Sequence, residues 1–189
     1  MEKLNVVINH PEQAEDRLDK IIDELDTAHQ DLRDISHNIM PKSLRKLGLQ
    51  SAIEELMYRI RLVDQELKIN FYHNVEFKML TLFSQLQIYR IVQELLNNMI
   101  KHAEAKEVNL QFIQHEGELL ITLEDDGRGF NANQALSGGI GLKNIKNRVS
   151  VLGGTFLVDS ALGRGALISV ELPLAVLRGE EPKNNEKII

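Results

Sequence analysis

The stretch IYRIVQELLNNMIKHAEA, residues 88–105, decides the fold of this chain. Apolar residues recur along it at helical spacing, while the polar side chains of Glu94, Asn98 and Lys101 follow at i, i+4 and i+7. That spacing places all three on one face of a helix, about two turns long. An amide oxygen can bind Mg²⁺, an ammonium neutralises phosphate charge and a carboxylate can orient a water. The face therefore suits a metal-bound triphosphate, although the helix alone is equally compatible with an ordinary solvated face.

The residues around this helix predict an α+β domain over residues 68–175. A strand is expected at 68–75, the polar-faced helix at 84–103, a hairpin at 108–113 and 119–123, a helix at 142–152 and a second hairpin at 155–160 and 167–172. This order lacks strict βαβ alternation. We therefore expect a mainly antiparallel sheet with helices on one face.

Three glycine-rich segments follow the helix: DDGRGF at 125–130, GGIGL at 138–142 and GRG at 163–165. Glycines let a backbone approach a flat ligand closely, and Asp125 at a strand end can accept a hydrogen bond from an exocyclic amine. A helix that opens after GGIG presents free N–H groups to phosphate. Each segment alone is more simply explained as a turn or a hairpin loop.

The order of these motifs is more specific than any one of them. E-x-x-x-N on a helix, D-x-G-x-G after a strand, G-x-G-L opening a helix and G-x-G in a late hairpin resemble the Bergerat ATP-binding fold of gyrases, Hsp90, MutL and histidine kinases. The resemblance covers about residues 30–173, and neither G-x-x-x-x-G-K-[ST] nor G-x-G-x-x-G is present. YRIVQELLNNMIKHAEA is similar to the N-box of the histidine kinases that partner LuxR-type response regulators.

The resemblance implies ATP and Mg²⁺ as ligands and gives each motif residue a role. Glu94 is implied to act at the γ-phosphate, Asn98 to bind Mg²⁺, and Lys101 and His102 to lie near the phosphates. Asp125 would contact adenine, with Gly127 and Gly129 beside it. Gly139 and Gly141 would shape the lid over the triphosphate, and Leu142, Gly163 and Gly165 would belong to the same nucleotide-binding set. One departure is Ala166, where the family often has threonine. That change removes a hydroxyl near the adenine pocket.

A helical hairpin is predicted before the α+β domain, over residues 11–67. Its first heptad seam is Leu18, Ile21, Leu25, Ala28, Leu32, Ile35 and Ile39, and its second is Leu49, Ile53, Leu56, Ile60, Val63 and Leu67. Gly48 marks the turn between them, and Pro41 is expected to bend the first helix. We expect two antiparallel hairpins to pair as a dimeric four-helix bundle, because one hairpin leaves much of its seam uncovered.

His37 is the candidate phosphoacceptor on this hairpin. Its place outside the seam, ahead of the ATP-binding motifs, favours it over an ordinary surface histidine, and His29 is the rival. The family has an acid directly after the histidine, whereas this chain has Asn38, so we expect Asp34 to orient the imidazole instead. Lys42 stands where the family has a glutamine used in phosphatase chemistry.

Composition excludes several other classes. The net charge of −6 argues against nucleic-acid binding, and the absence of cysteine excludes disulfides and thiolate sites. No apolar run is long enough to span a bilayer, so we expect no membrane contact within these residues. We expect a cytoplasmic location for them, within a full-length receptor that could be membrane-anchored. Residues 176–189 have the composition of a disordered tail.

The sequence therefore predicts the core of a two-component sensor histidine kinase. This enzyme would phosphorylate itself on His37 with ATP and pass the phosphoryl group to an aspartate of a response regulator receiver domain. Two alternatives remain. One is a degenerate kinase that acts as a nucleotide-sensing dimerisation module, and the other is a Bergerat-fold ATPase.

Overall fold

The computed structural model of the chain describes residues 40–132 and 140–180. The chain divides into two units after Met40, and every element below belongs to the unit Pro41–Ile189. The candidate phosphoacceptors His29 and His37, the orienting residue Asp34 and Gly139 of the predicted lid lie outside the described residues.

The described part of the chain contains five helices, one 3₁₀ turn and five strands. In chain order its elements are α1 (Lys42–Leu47), α2 (Leu49–Val63), β1 (Lys68–His73), a 3₁₀ turn (Phe77–Met79), α3 (Leu82–His102), β2 (Glu107–His115), β3 (Glu118–Asp125), α4 (Ile140–Val151), β4 (Thr155–Ser160), β5 (Ala166–Pro173) and α5 (Leu174–Arg178). The predicted strands, hairpins and polar-faced helix are confirmed, with ends that differ by a few residues. At the β2–β3 turn, Glu116 and Gly117 both have positive φ (42° and 90°), as the twist of a tight hairpin favours.

The five strands form one sheet in the order β1-β2-β3-β5-β4. The pairs β2–β3, β3–β5 and β4–β5 are antiparallel, but β1 pairs with β2 in parallel. The expected mainly antiparallel sheet is therefore mixed. The reason is that α3 lies between β1 and β2 in the chain. This crossover helix brings the chain back to the end of the sheet at which β1 begins, so that β2 runs parallel to β1.

Helix α3 is the central element of the core. Thr81 caps its start by accepting a hydrogen bond from the backbone N–H of Ser84 at 3.2 Å. Its buried apolar side chains are Ile88, Ile91, Val92, Leu95, Leu96 and Met99. Alternate residues of β2, β3 and β5 are buried as well, so these strands direct one face into the core. The neighbouring face of α3 carries Glu94 and Asn98, which are half-buried, and Lys101, which is exposed.

Helix α2 packs against α3 and β1 in the same unit as the sheet. Its seam residues Leu49, Ile53 and Ile60 are buried, and Arg61 donates a hydrogen bond to the backbone carbonyl of Ile69 at 2.6 Å. Most of the α2 seam is thus buried within this unit, whereas Val63 at its end is 87% exposed. Pro41 is non-helical and precedes the first residue of α1, and Gly48 separates the two helices with a φ of 85°. None of the helices among the described residues is long and apolar enough to cross a bilayer.

Candidate nucleotide-binding site

A cavity of about 600 Å³ opens between α3, the start of α4 and the loops that follow β3 and β4. Its volume lies in the range of small-molecule sites. Of the predicted site residues it is lined by Asn98, His102, Asp125, Gly129, Gly141 and Leu142. Leu95, Met99, Leu123 and Ile168 add apolar walls. The sequence motifs therefore meet around one cavity.

Asp125 is the buried polar group of this cavity. It ends β3, is 8% exposed, and accepts a hydrogen bond from the backbone N–H of Gly127 at 3.0 Å. Burial raises the pKa of its carboxyl above the ordinary value, and the Gly127 hydrogen bond opposes that rise. A carboxylate held among apolar walls provides a specific acceptor for an amine of a flat ligand.

The polar face of α3 lies against the first turn of α4. A Cβ atom built on Gly141 would come within 2.6 Å of Glu94 Oε1 and 3.1 Å of both terminal atoms of the Asn98 carboxamide. The start of α4 therefore lies close to the ends of these two side chains, which would have to shift to admit a larger residue at position 141. The backbone N–H groups of that helix start lie beside the residues predicted to hold phosphate and metal.

Lys101 and His102 are both exposed, but they occupy different positions. His102 lines the cavity, whereas Lys101 does not. Among the residues that the structure describes, the side chains of Glu94, Asn98 and Lys101 make no hydrogen bond to one another or to neighbours. They are therefore available to a ligand.

The described residues contain no cluster of three or more histidine, aspartate or glutamate side chains that could hold a metal ion alone. Asn98 offers one amide oxygen at the cavity wall. This donor set fits Mg²⁺, which commonly takes one or two protein ligands and completes its octahedron with phosphate oxygens and waters. It does not fit a metal bound by protein alone.

The glycines after β3 prove to be required by neighbouring backbone rather than by a ligand alone. A Cβ on Gly127 would lie 2.2 Å from the carbonyl oxygen of Ala103, and one on Gly129 would lie 2.0 Å from that of Ala161. A Cβ on Gly165 would lie 2.0 Å from the carbonyl oxygen of Asp125. Gly163 differs, because a Cβ there meets nothing within 4 Å.

These contacts join three backbone segments, 102–107, 125–130 and 160–166, which we call the floor of the cavity. Sequence reasoning missed two side chains that form hydrogen bonds across the floor. Ser160 donates to the carbonyl of Gly165 at 2.7 Å and accepts from the N–H of Phe130 at 2.9 Å. Arg128 donates through Nε to the carbonyl of His102 at 2.6 Å. Ser160 had no local signal, whereas Arg128 lies inside the D-x-G-x-G motif and could have been considered.

Ala166 lines the cavity and lies opposite Asp125 in the β3–β5 pairing. A larger polar residue there would stand beside the buried carboxylate. The apolar lining also includes Phe130 and Leu162, which the sequence did not single out.

Comparisons with known proteins agree with this geometry. Residues 84–176 match the family described as histidine kinase-, DNA gyrase B- and HSP90-like ATPase. The sensor histidine kinase ComP of Bacillus subtilis (strain 168) is 30% identical over 169 residues, which cover 86% of this chain and 21% of ComP. The histidine-protein kinase/phosphatase UhpB of Salmonella typhimurium is 32% identical over 142 residues, which cover 75% of this chain and 28% of UhpB.

Among solved structures, the histidine kinase domain of the blue-light activated kinase from Erythrobacter litoralis is similar with a TM-score of 0.60 and 24% identity. The likeness covers 69% of this chain and 67% of that one, and it concerns the fold. The chain spans half or less of the length of the curated relatives, from 21% of ComP to 50% of the sensor histidine kinase LiaS of Bacillus subtilis. Residues 84–176 thus carry the domain described as histidine kinase-, DNA gyrase B- and HSP90-like ATPase, and the curated relatives that we name are sensor histidine kinases.

Proposed function

We propose that this chain binds Mg-ATP and acts as the kinase core of a two-component system. The observation that carries the proposal is the arrangement of the cavity. Its buried acceptor, Asp125, lies among apolar walls, and Asn98 and the start of α4 lie beside an open polar face. An apolar slot with one acceptor suits a purine, and a glycine-opened helix start beside an amide suits phosphates.

Each side chain then has a distinct task. Asp125 accepts the hydrogen bond of the adenine amine, and Leu95, Leu123 and Ile168 cover the ring. Asn98 would hold Mg²⁺, which neutralises phosphate charge when it is bound. Glu94 is a positioning group near the γ-phosphate, and Lys101 and His102 supply positive charge or hydrogen bonds from the open side.

The acceptor that we propose is His37, oriented by Asp34. A neutral imidazole nitrogen would attack the γ-phosphorus, a P–N bond would form, and the bond to the bridging oxygen would break, so that ADP leaves with the electron pair. The imidazole proton is released. A receiver aspartate of a response regulator would then take the phosphoryl group.

We also propose dimerisation through the helical hairpin, and the position of α2 limits which residues can form the dimer interface. Leu49, Ile53 and Ile60 are already buried within the ATP-binding unit. A dimer would therefore depend mainly on the heptad seam that precedes residue 40. On the surface, Lys42, Arg45 and Lys46 are exposed, so they could steer an acidic receiver domain toward this region.

Incubation of the full chain with γ-labelled ATP tests this function. We expect label on the wild type and on His29→Ala, and none on His37→Ala or Asn98→Ala. The ATP affinity of each variant is measured directly as well, so that a loss of phosphoryl transfer is distinguished from a loss of ATP binding.

Other outcomes favour the other functions. Label that persists on His37→Ala rejects this acceptor. Steady ATP turnover without phosphoprotein supports a Bergerat ATPase. Nucleotide binding with neither label nor turnover, together with a change in oligomeric state, supports a nucleotide-sensing module.

A further inference from the structure

The C-terminal end of α3 is held by Arg128 in three ways. The side-chain Nε donates to the carbonyl of His102 at 2.6 Å, and the backbone N–H donates to the carbonyl of Ala103 at 2.7 Å. A side-chain Nη1 also pairs with Glu104 Oε1 at 3.3 Å. Glu104 itself has a φ of 54°, the left-handed conformation that ends many helices.

The backbone part of this junction does not depend on the Arg128 side chain. Asp126 Oδ1 accepts from the N–H groups of Lys106 and Glu107 at 2.8 and 2.9 Å. The carbonyl of Arg128 accepts from Gly163 at 2.6 Å. Replacement of the guanidinium should therefore leave the floor in place, so that its effect on ligand binding can be measured separately.

Two groups on the cavity wall at the end of α3 repel a polyphosphate, and Arg128 opposes both. The C-terminus of a helix carries roughly half a negative charge. His102 and Ala103, which end α3, both line the cavity, and Asp125 adds a carboxyl to the same wall. Arg128 lines that wall too and places a cation directly on the helix carbonyls.

We propose that Arg128 is an electrostatic positioning residue that offsets the negative end of α3 and so favours phosphate-bearing nucleotides over the bare nucleoside. This inference rests on the proposed nucleotide-binding function. Glu104 opposes the effect, because its carboxylate pairs with the same guanidinium and adds a negative charge.

Titration calorimetry with ATP and with adenosine, on the full chain, tests this proposal. Arg128→Gln should weaken ATP binding about two- to fivefold and leave adenosine binding unchanged. Arg128→Lys, which keeps the charge, should stay within about twofold of the wild type for both ligands. Glu104→Gln should change ATP binding in the opposite direction, by up to about twofold. All of these differences should shrink at high ionic strength.

The two ligands separate the explanations. Equal losses of ATP and adenosine affinity in Arg128→Gln would mean that the side chain only supports the floor, which overturns the proposal. Unchanged ATP affinity in Arg128→Gln, with its thermal unfolding intact, overturns it as well. A wild type that binds neither ligand rejects the nucleotide-binding function itself, and the role of Arg128 with it.

Discussion

The floor and the rim of the cavity are built in opposite ways. The floor joins segments 102–107, 125–130 and 160–166 by backbone hydrogen bonds and by glycines that permit contact with neighbouring carbonyls. The rim consists of the side chains of Asn98 and Leu162, which line the cavity, and of Glu94 and Lys101, which lie beside it on the polar face of α3. All four are half-buried or exposed. Within the described residues, Glu94, Asn98 and Lys101 have no hydrogen-bond partners.

From this difference we expect substitutions in the floor to alter the stability of the fold and substitutions in the rim to alter ligand binding. A change in the floor displaces backbone that three distant segments share, so we expect it to lower the free energy of unfolding. A change in the rim removes contacts that form only when a ligand is present. Asp125 lies between these cases, because it is buried in the floor and also faces the ligand.

The largest effect is expected at Gly129. Its φ is 62°, and a Cβ would lie 2.0 Å from the carbonyl of Ala161 and 2.7 Å from that of Gly165. Gly129→Ala should lower the free energy of unfolding by about 2–4 kcal/mol, because backbone must shift. Gly163→Ala is the matched control, with a φ of 78° and open space around the new methyl. It should cost only about 1–2 kcal/mol for the left-handed conformation.

Equilibrium urea denaturation of the two variants measures the comparison. Equal losses would show that conformation alone, and not the contact between segments, makes these glycines necessary.

The second effect concerns Asp125→Asn. Loss of the charge weakens the hydrogen bond to an amine, so ATP binding should fall about tenfold.

The stability of Asp125→Asn should instead increase at neutral pH. Burial raises the pKa of Asp125 in the folded state, so the ionised carboxylate destabilises the fold at neutral pH. As the pH falls through the raised pKa, the group becomes protonated and this cost disappears.

Denaturation at several pH values checks the sign. The unfolding free energy of Asp125→Asn, relative to the wild type, should be most favourable near neutral pH and should decline as the pH approaches 4. A difference that does not vary with pH would show that the buried carboxylate carries no such cost.

The sequence predicted most of the helices and strands and the motifs that meet at the cavity, but not the contacts that join the segments of the floor. Periodicity located α3 and both hairpins, because each repeats its pattern over one continuous segment. The contacts of Gly127 with Ala103 and of Gly165 with Asp125 join residues far apart in the chain, and no local pattern encodes them. For the same reason the heptad pattern of α2 indicated an apolar face, but not that α3 and β1 would cover it. The β1–β2 pairing is parallel because of a crossover that turn signals do not reveal. The roles of His37 and Asp34 stay predictions.

The smallest effect is expected at Leu162, on the rim. This side chain lines the cavity and is 79% exposed without a ligand. Partial cover by a bound base would bury some of its apolar surface, so Leu162→Ser should weaken ATP binding about threefold. Its stability should not change, because little apolar surface is buried there in the free protein. Leu157→Ser provides the control, since Leu157 is 62% exposed on β4 and does not line the cavity. Competition with a fluorescent nucleotide can resolve the difference. Equal ATP affinities of the two variants would show that Leu162 does not contact the bound base, which the walls of the cavity would then hold alone.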